Sequence, residues 1–136
     1  MIIYEELFKF IAEHFEISVE EGRALGIYDA QDCMDMSASV ERRHAARIFH
    51  LILLKKYGVK DIAIDAASVL LDLYDCRVCV NHIAQVYLRG IMEARLDNIF
   101  DGRAAITAYE MKRAVSVIDE LIATTTAVTD ELTAMI

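Results

Sequence analysis

Proline and tryptophan are absent from this chain of 136 residues, and glycine occurs only five times. With no Pro to break helices and few Gly to loosen turns, the composition favours helices joined by short connections and argues against disorder. Long apolar runs are also missing. None reaches the roughly 18–20 residues that a helix needs to cross a bilayer, so no membrane insertion is expected. Basic residues are the minority, 14 against 22 acidic, for a net charge of −8. Such a surface repels phosphate backbones, so no nucleic-acid partner is expected. The opening MIIYEELFKF lacks a basic n-region and carries acids among its apolar residues. It does not read as a signal peptide; the expected location is cytoplasmic, or the cell surface if a leader has been trimmed away. Three Cys is an odd count in a chain too large to need disulfide staples, so reduced thiols are expected.

What is present is a chain 56% hydrophobic, enough to enclose one core. Ser39 to Tyr57, SVERRHAARIFHLILLKKY, reads as a helix apolar on nearly all sides, hence the central strut of a single all-α domain spanning 1–136. Ile2 to Phe15 forms a helix with a stripe of Ile3, Leu7, Phe10, Ile11 and Phe15. Ser18 and Glu21 suggest a capping box, opening a short helix that stops near Gly26. Tyr28 to Ala38 is a loop. Asp61 to Leu73 fits a short helix or an extended run, and the helix is favoured. Val78 to Arg89 is a short helix closed by Gly90, and Glu93 to Ala105 is a loop. Thr107 and Glu110 form a second capping box at the head of a helix to Ala123. The Thr124-Thr-Thr run weakens that helix, leaving Val128–Ile136 as a short helix or a frayed tail.

One pattern occurs twice. Ala24-Leu-Gly-Ile27, a loop and Val40-Glu-Arg-Arg are matched by Leu88-Arg-Gly-Ile91, a loop and Ile106-Thr-Ala-Tyr-Glu110. Gly26 and Gly90 lie 64 residues apart, Val40 and Ile106 lie 66 apart. A repeat of this size implies one supersecondary unit used more than once. Here the chain resembles the S-layer homology (SLH) family, whose repeat runs as a short helix ending in Gly-Ile-Ile, a loop with Asp and Phe, then Ile-Thr-Arg-Ala-Glu. Gly90, Ile91, Asp97, Phe100, Ile106, Thr107 and Glu110 fall on that spacing, with Gly26, Ile27, Val40 and Arg42 in the first copy. The copies cover about 17–57 and 78–123, and the helix over 2–15 could stand for part of a third.

The resemblance implies three long helices as a central bundle, with short helices and loops as peripheral prongs. It also implies binding of cell-wall polysaccharide in grooves between prongs, through the motif Arg and loop residues. Those slots hold Arg42 with neighbouring Arg43, and Asp97 with Asn98 where the family has Gly. The chemistry suits an anionic sugar, because a guanidinium pairs with it in two-pronged fashion. Other slots differ: Ala108 stands in the second Arg position and Val78 where a Trp is expected. Scaffold positions are thus kept better than ligand positions. The expected function is a non-catalytic module that binds a partner protein or itself, with no cofactor, and with wall-glycan binding as the alternative.

Cys76-Arg-Val-Cys79-Val-Asn-His82 resembles half of a zinc site, which Cys33 or His44 could complete. The commoner reading is buried Cys acting as small hydrophobes. Redox use of the Cys-x-x-Cys pair is weighed lower, because no strand precedes it. Asp72 and Asp75 suit acid/base work, but more commonly a cap and a solvated charge. His50 sits inside the apolar run and reads as a hydrogen-bonded core histidine.

Overall fold

A computed structural model describes the backbone of residues 1–134 and the side chains of residues 1–125. The chain is all-α; among the described residues, extended backbone appears only as isolated bridges. The helices are α1 (Tyr4–Phe15), α2 (Val19–Ala24), α3 (Arg42–Leu51), α4 (Val80–Leu88) and α5 (Ala108–Ala134). A π-helical turn, Ile52–Lys56, prolongs α3 toward Gly58, whose φ is +66°.

The heads of α1, α3 and α5 are tied together by backbone hydrogen bonds. Val40 N–H donates to Ile2 O, Ile106 N–H to Val40 O, and Ile2 N–H to Ile106 O, which closes a ring. The next rungs recur in register. Tyr4 and Glu5 donate to the carbonyls of Ala38 and Met36; Arg42 and Arg43 donate to those of Ala104 and Gly102. These bonds satisfy amides that a helix start otherwise leaves without partners. They also correct the expected start of the central helix. Ser39, Val40 and Glu41 are extended because their backbone belongs to the ring and its bridges, so α3 begins at Arg42.

The two Gly-Ile turns are the same device. Gly22 O accepts from the amides of Ile27 and Tyr28, and Val86 O accepts from those of Ile91 and Met92. Gly26 and Gly90 take φ of +78° and +74°, the left-handed conformation that closes a helix in this way. The sequence repeat is therefore a repeat of backbone hydrogen bonding.

One continuous core runs from Ile2 to Ile118. Along α3 and its π turn, Ala45, Ala46, Ile48, Phe49, Ile52 and Leu53 are buried, and so are Arg42 and His50. α3 packs most extensively against α4. α1 meets the short-helix region through Phe8 and Tyr28, whose ring centroids are 4.2 Å apart, and meets α5 through His14 and Asp119.

Three local expectations change. Asp61–Leu73 is not a helix. It is an irregular entry followed by 3₁₀ turns at Asp65–Val69 and Leu73–Asp75, with a third at Arg77–Cys79. Its backbone is bound from elsewhere: the buried Gln85 amide takes both polar groups of Ile62, and Asn98 O accepts from Leu71 N–H. Second, α5 passes through the threonine run to Ala134. The hydroxyls of Thr124 and Thr125 bond back to the carbonyls of Glu120 and Leu121, which keeps them compatible with helix. The end of the expected final segment, residues 135–136, lies outside the described residues. Third, Ser18 caps α2 by accepting from Glu21 N–H, while the Glu21 carboxylate pairs with Lys56 instead of reaching back.

The second capping box forms in full. Glu110 N–H donates to Thr107 Oγ1, and Thr107 N–H donates to Glu110 Oε1. Thr107→Ala is expected to cost about 1 kcal/mol, measured as a shift in the urea midpoint.

Candidate functional site

The residues expected to hold a glycan or anion do not form a site. Arg42 is fully buried. Its Nε and Nη2 donate to the carbonyls of Phe100 and Glu93, Nη1 pairs with Glu110, and the guanidinium lies 4.7 Å from the Phe100 ring centroid. Burial, followed by repulsion from Arg95, lowers its pKa to about 10, which leaves it charged at neutral pH. Nε and Nη2 are committed to loop carbonyls and the side chain is shut off from solvent, so Arg42 holds the 93–101 loop to the helix heads and does not face a ligand. Arg43 is partly exposed and pairs with Glu41 at 3.0 Å. Asp97 and Asn98 are exposed at a tight turn. Asn98 has φ +61°, one of the few non-Gly types that tolerates this region, which accounts for Asn where a Gly is expected. The neighbouring Asp101 also has a positive φ, +64°. Asp72 is not the expected cap: it makes no side-chain bond to the turn it precedes, and its two carboxylate oxygens instead accept from the amides of Phe100 and Asp101 in the loop before α5.

The structure gathers chemistry in a different place. A cavity of about 420 Å³ is lined by Arg43, His44, Arg47, Cys76, Cys79 and His82, among others. Cys76 and Cys79 are joined in a disulfide, which corrects the expectation of reduced thiols and removes both sulfurs from a metal-ligand set. Among the described residues, no group of three or more His, Cys, Asp or Glu is placed to hold a metal. Cys33 is the free cysteine. Local backbone explains the pairing. The turn Arg77–Cys79 brings the two Cα atoms to 5.2 Å, and Cys79 is the N-cap residue immediately before α4.

His82, on the wall of the same cavity, ends a chain of polar groups. Asp61 Oδ1 lies 2.6 Å from His50 Nε2, and His50 Nδ1 lies 2.7 Å from His82 Nδ1. Asn81 donates to the other Asp61 oxygen. Burial raises the Asp61 pKa, but the hydrogen bonds from His50 and Asn81 outweigh it, so Asp61 sits below its ordinary value and is ionised. A carboxylate only accepts, so His50 Nε2 carries a proton. When His50 is neutral, its Nδ1 is then an acceptor, the His82 proton is on Nδ1, and the His82 Nε2 lone pair is bare. Burial, then the neighbouring His50, lowers the His82 pKa to about 4.

His50 is legible in the sequence as a polar residue in an apolar run. Its partners are not: Asp61 lies 11 residues on and His82 lies 32 on, with no fixed helical spacing to connect them. Searches against protein-family models, curated proteins and solved structures gave no match to this chain.

Proposed function

We propose that this chain is a non-catalytic interaction module of SLH-like build that binds a partner protein. In this reading α1, α3 and α5 are the three long helices, and α2, α4 and the loops are the prongs. The ring of Ile2, Val40 and Ile106 supports the build, because it relates the heads of all three long helices by one pattern of bonds. The observation that carries the function is a run of exposed apolar side chains. Val69, Leu71 and Tyr74, 50%, 76% and 68% exposed, lie in the segment that joins the two repeats, and Val78, 85% exposed, stands where the second repeat begins. Scattered exposed apolar residues need no explanation, but several close together in sequence favour a contact surface. Wall-glycan binding is less well supported, because Arg42, the motif cation it calls for, is buried.

The test is capture from a native extract combined with sizing. Wild-type chain should elute with a stoichiometric protein partner, and the doubly substituted Leu71→Asp, Val78→Asp form should lose at least tenfold in affinity while keeping its helical signal. A second copy as the occupant would show as a concentration-dependent dimer that the same substitutions abolish. A partnerless monomer at all concentrations would sink the reading.

A further inference from the structure

We propose that Cys76–Cys79 is a thiol–disulfide exchange site, with His82 as the group that takes up and returns the proton. The proposal goes beyond the interaction reading and does not depend on it. Its partner is defined chemically, as a dithiol.

Placement of the two sulfurs gives them different roles. Cys76 is half-buried and lines two neighbouring cavities; Cys79 is 7% exposed and is the N-cap of α4. An incoming sulfur therefore meets Cys76, and Cys79 is the leaving sulfur. The nine-residue helix α4 directs its partly positive end at that leaving thiolate. Arg43 and Arg47 line the same cavity, with Glu41 paired to the first and Asp32 and Asp29 to the second, so their charges are largely offset and the helix end is the main positive influence. A purely structural staple is the weaker account, because a bridge between residues three apart closes a very short loop in a chain that already has a continuous core.

The histidine pair gives the proton a path. A proton arriving at His82 Nε2 releases the Nδ1 proton to His50 Nδ1, so the positive charge rests on His50 against the Asp61 carboxylate. His82 itself ends neutral, in keeping with its depressed pKa.

The steps balance. One thiol of the donor loses its proton to His82, and its sulfur attacks Cys76 Sγ. The Cys76–Cys79 bond breaks, and the Cys79 thiolate takes the proton back from His82. The donor's second thiol then loses its proton and attacks the donor sulfur in the mixed disulfide. Cys76 leaves as a thiolate and takes that proton. The dithiol is oxidised to a disulfide, and this chain gains two electrons and two protons.

The test uses the full chain with Cys33→Ser as background. Equilibration in glutathione buffers followed by alkylation should show Cys76 and Cys79 interconverting together. With Cys79→Ser, Cys76 should trap glutathione as a stable mixed disulfide; with Cys76→Ser, Cys79 should trap far less. Reduction by dithiothreitol at pH 7 should slow roughly tenfold in His82→Gln. That gap should close near pH 9.5, where the attacking thiol ionises unaided. The groups facing His82 are His50, Arg47 and Asp61, with Arg43, His44 and Asp29 around the cavity, so Asp61→Asn should reproduce part of the slowing. Thiols that stay alkylatable throughout oxidised glutathione would overturn the site. A His82→Gln rate equal to wild type at pH 7, or a gap constant with pH, would overturn the role of His82.

Discussion

Arg42→Ala is expected to lower stability by about 3–5 kcal/mol, the range for removing one partner of a buried, hydrogen-bonded charge. The substitution strands three groups at once. Phe100 O and Glu93 O lose their donors, and Glu110 loses the buried side of its pairing. Phe100 loses the guanidinium stacked on its ring. Lys at this position would not substitute, since one ammonium cannot reach two carbonyls and a carboxylate in the fixed fork that Arg presents. Arg42→Lys should therefore recover less than half of the loss. Because all three partners belong to the 93–101 loop or the head of α5, the damage should be local in its first signs. Amide exchange over 93–101 should accelerate before the rest of the chain does. Urea unfolding measures the total, and a loss under about 1 kcal/mol would show that Arg42 is solvated instead of buried.

Arg42 also shows what the sequence conceals. Its place at a helix head, in a motif resembling one where Arg binds ligand, reads as a ligand-binding cation. The carbonyls that claim it lie 58 and 51 residues away, in a loop of no periodic pattern. Long-range capture of the same sort hides the 61–79 stretch, where Gln85 and Asn98 take up backbone groups that an isolated helix would pair internally. Local chemistry is legible by contrast. Gly26 and Gly90 stand at left-handed helix stops, Thr107 and Glu110 cap each other, and Val40 and Ile106 occupy matching places in the ring. Each of those signals depends on neighbours within a few residues, so spacing alone exposes it. The disulfide is intermediate: the Cys-x-x-Cys spacing is visible, but the turn that brings the two Cα atoms to 5.2 Å is not.

Gly22→Ala should destabilise the chain by about 1–3 kcal/mol, although Ala is the better helix former. Gly22 is buried inside α2, where propensity alone would favour the change by up to about 1 kcal/mol. Space decides against it. An added Cβ would lie 2.4 Å from Tyr28 Cδ2 and 2.5 Å from Cε2. The Tyr28 ring has little room to yield, being 2% exposed and packed on Phe8 at 4.2 Å. The second repeat supplies the control. At the matching positions, 64 residues on, stand Val86 and Met92, both buried, with the same pair of bonds to the residue 86 carbonyl. A branched side chain and a flexible thioether thus share the space that Gly22 and a tyrosine ring share in the first repeat. Tyr28→Met placed on Gly22→Ala should recover at least half of the loss, although Tyr28→Met alone should be destabilising through the cavity it leaves. A double-mutant cycle on urea midpoints measures the coupling, expected above about 1 kcal/mol for residues in contact. Simple additivity would mean that Gly22 is held by something other than the ring across from it.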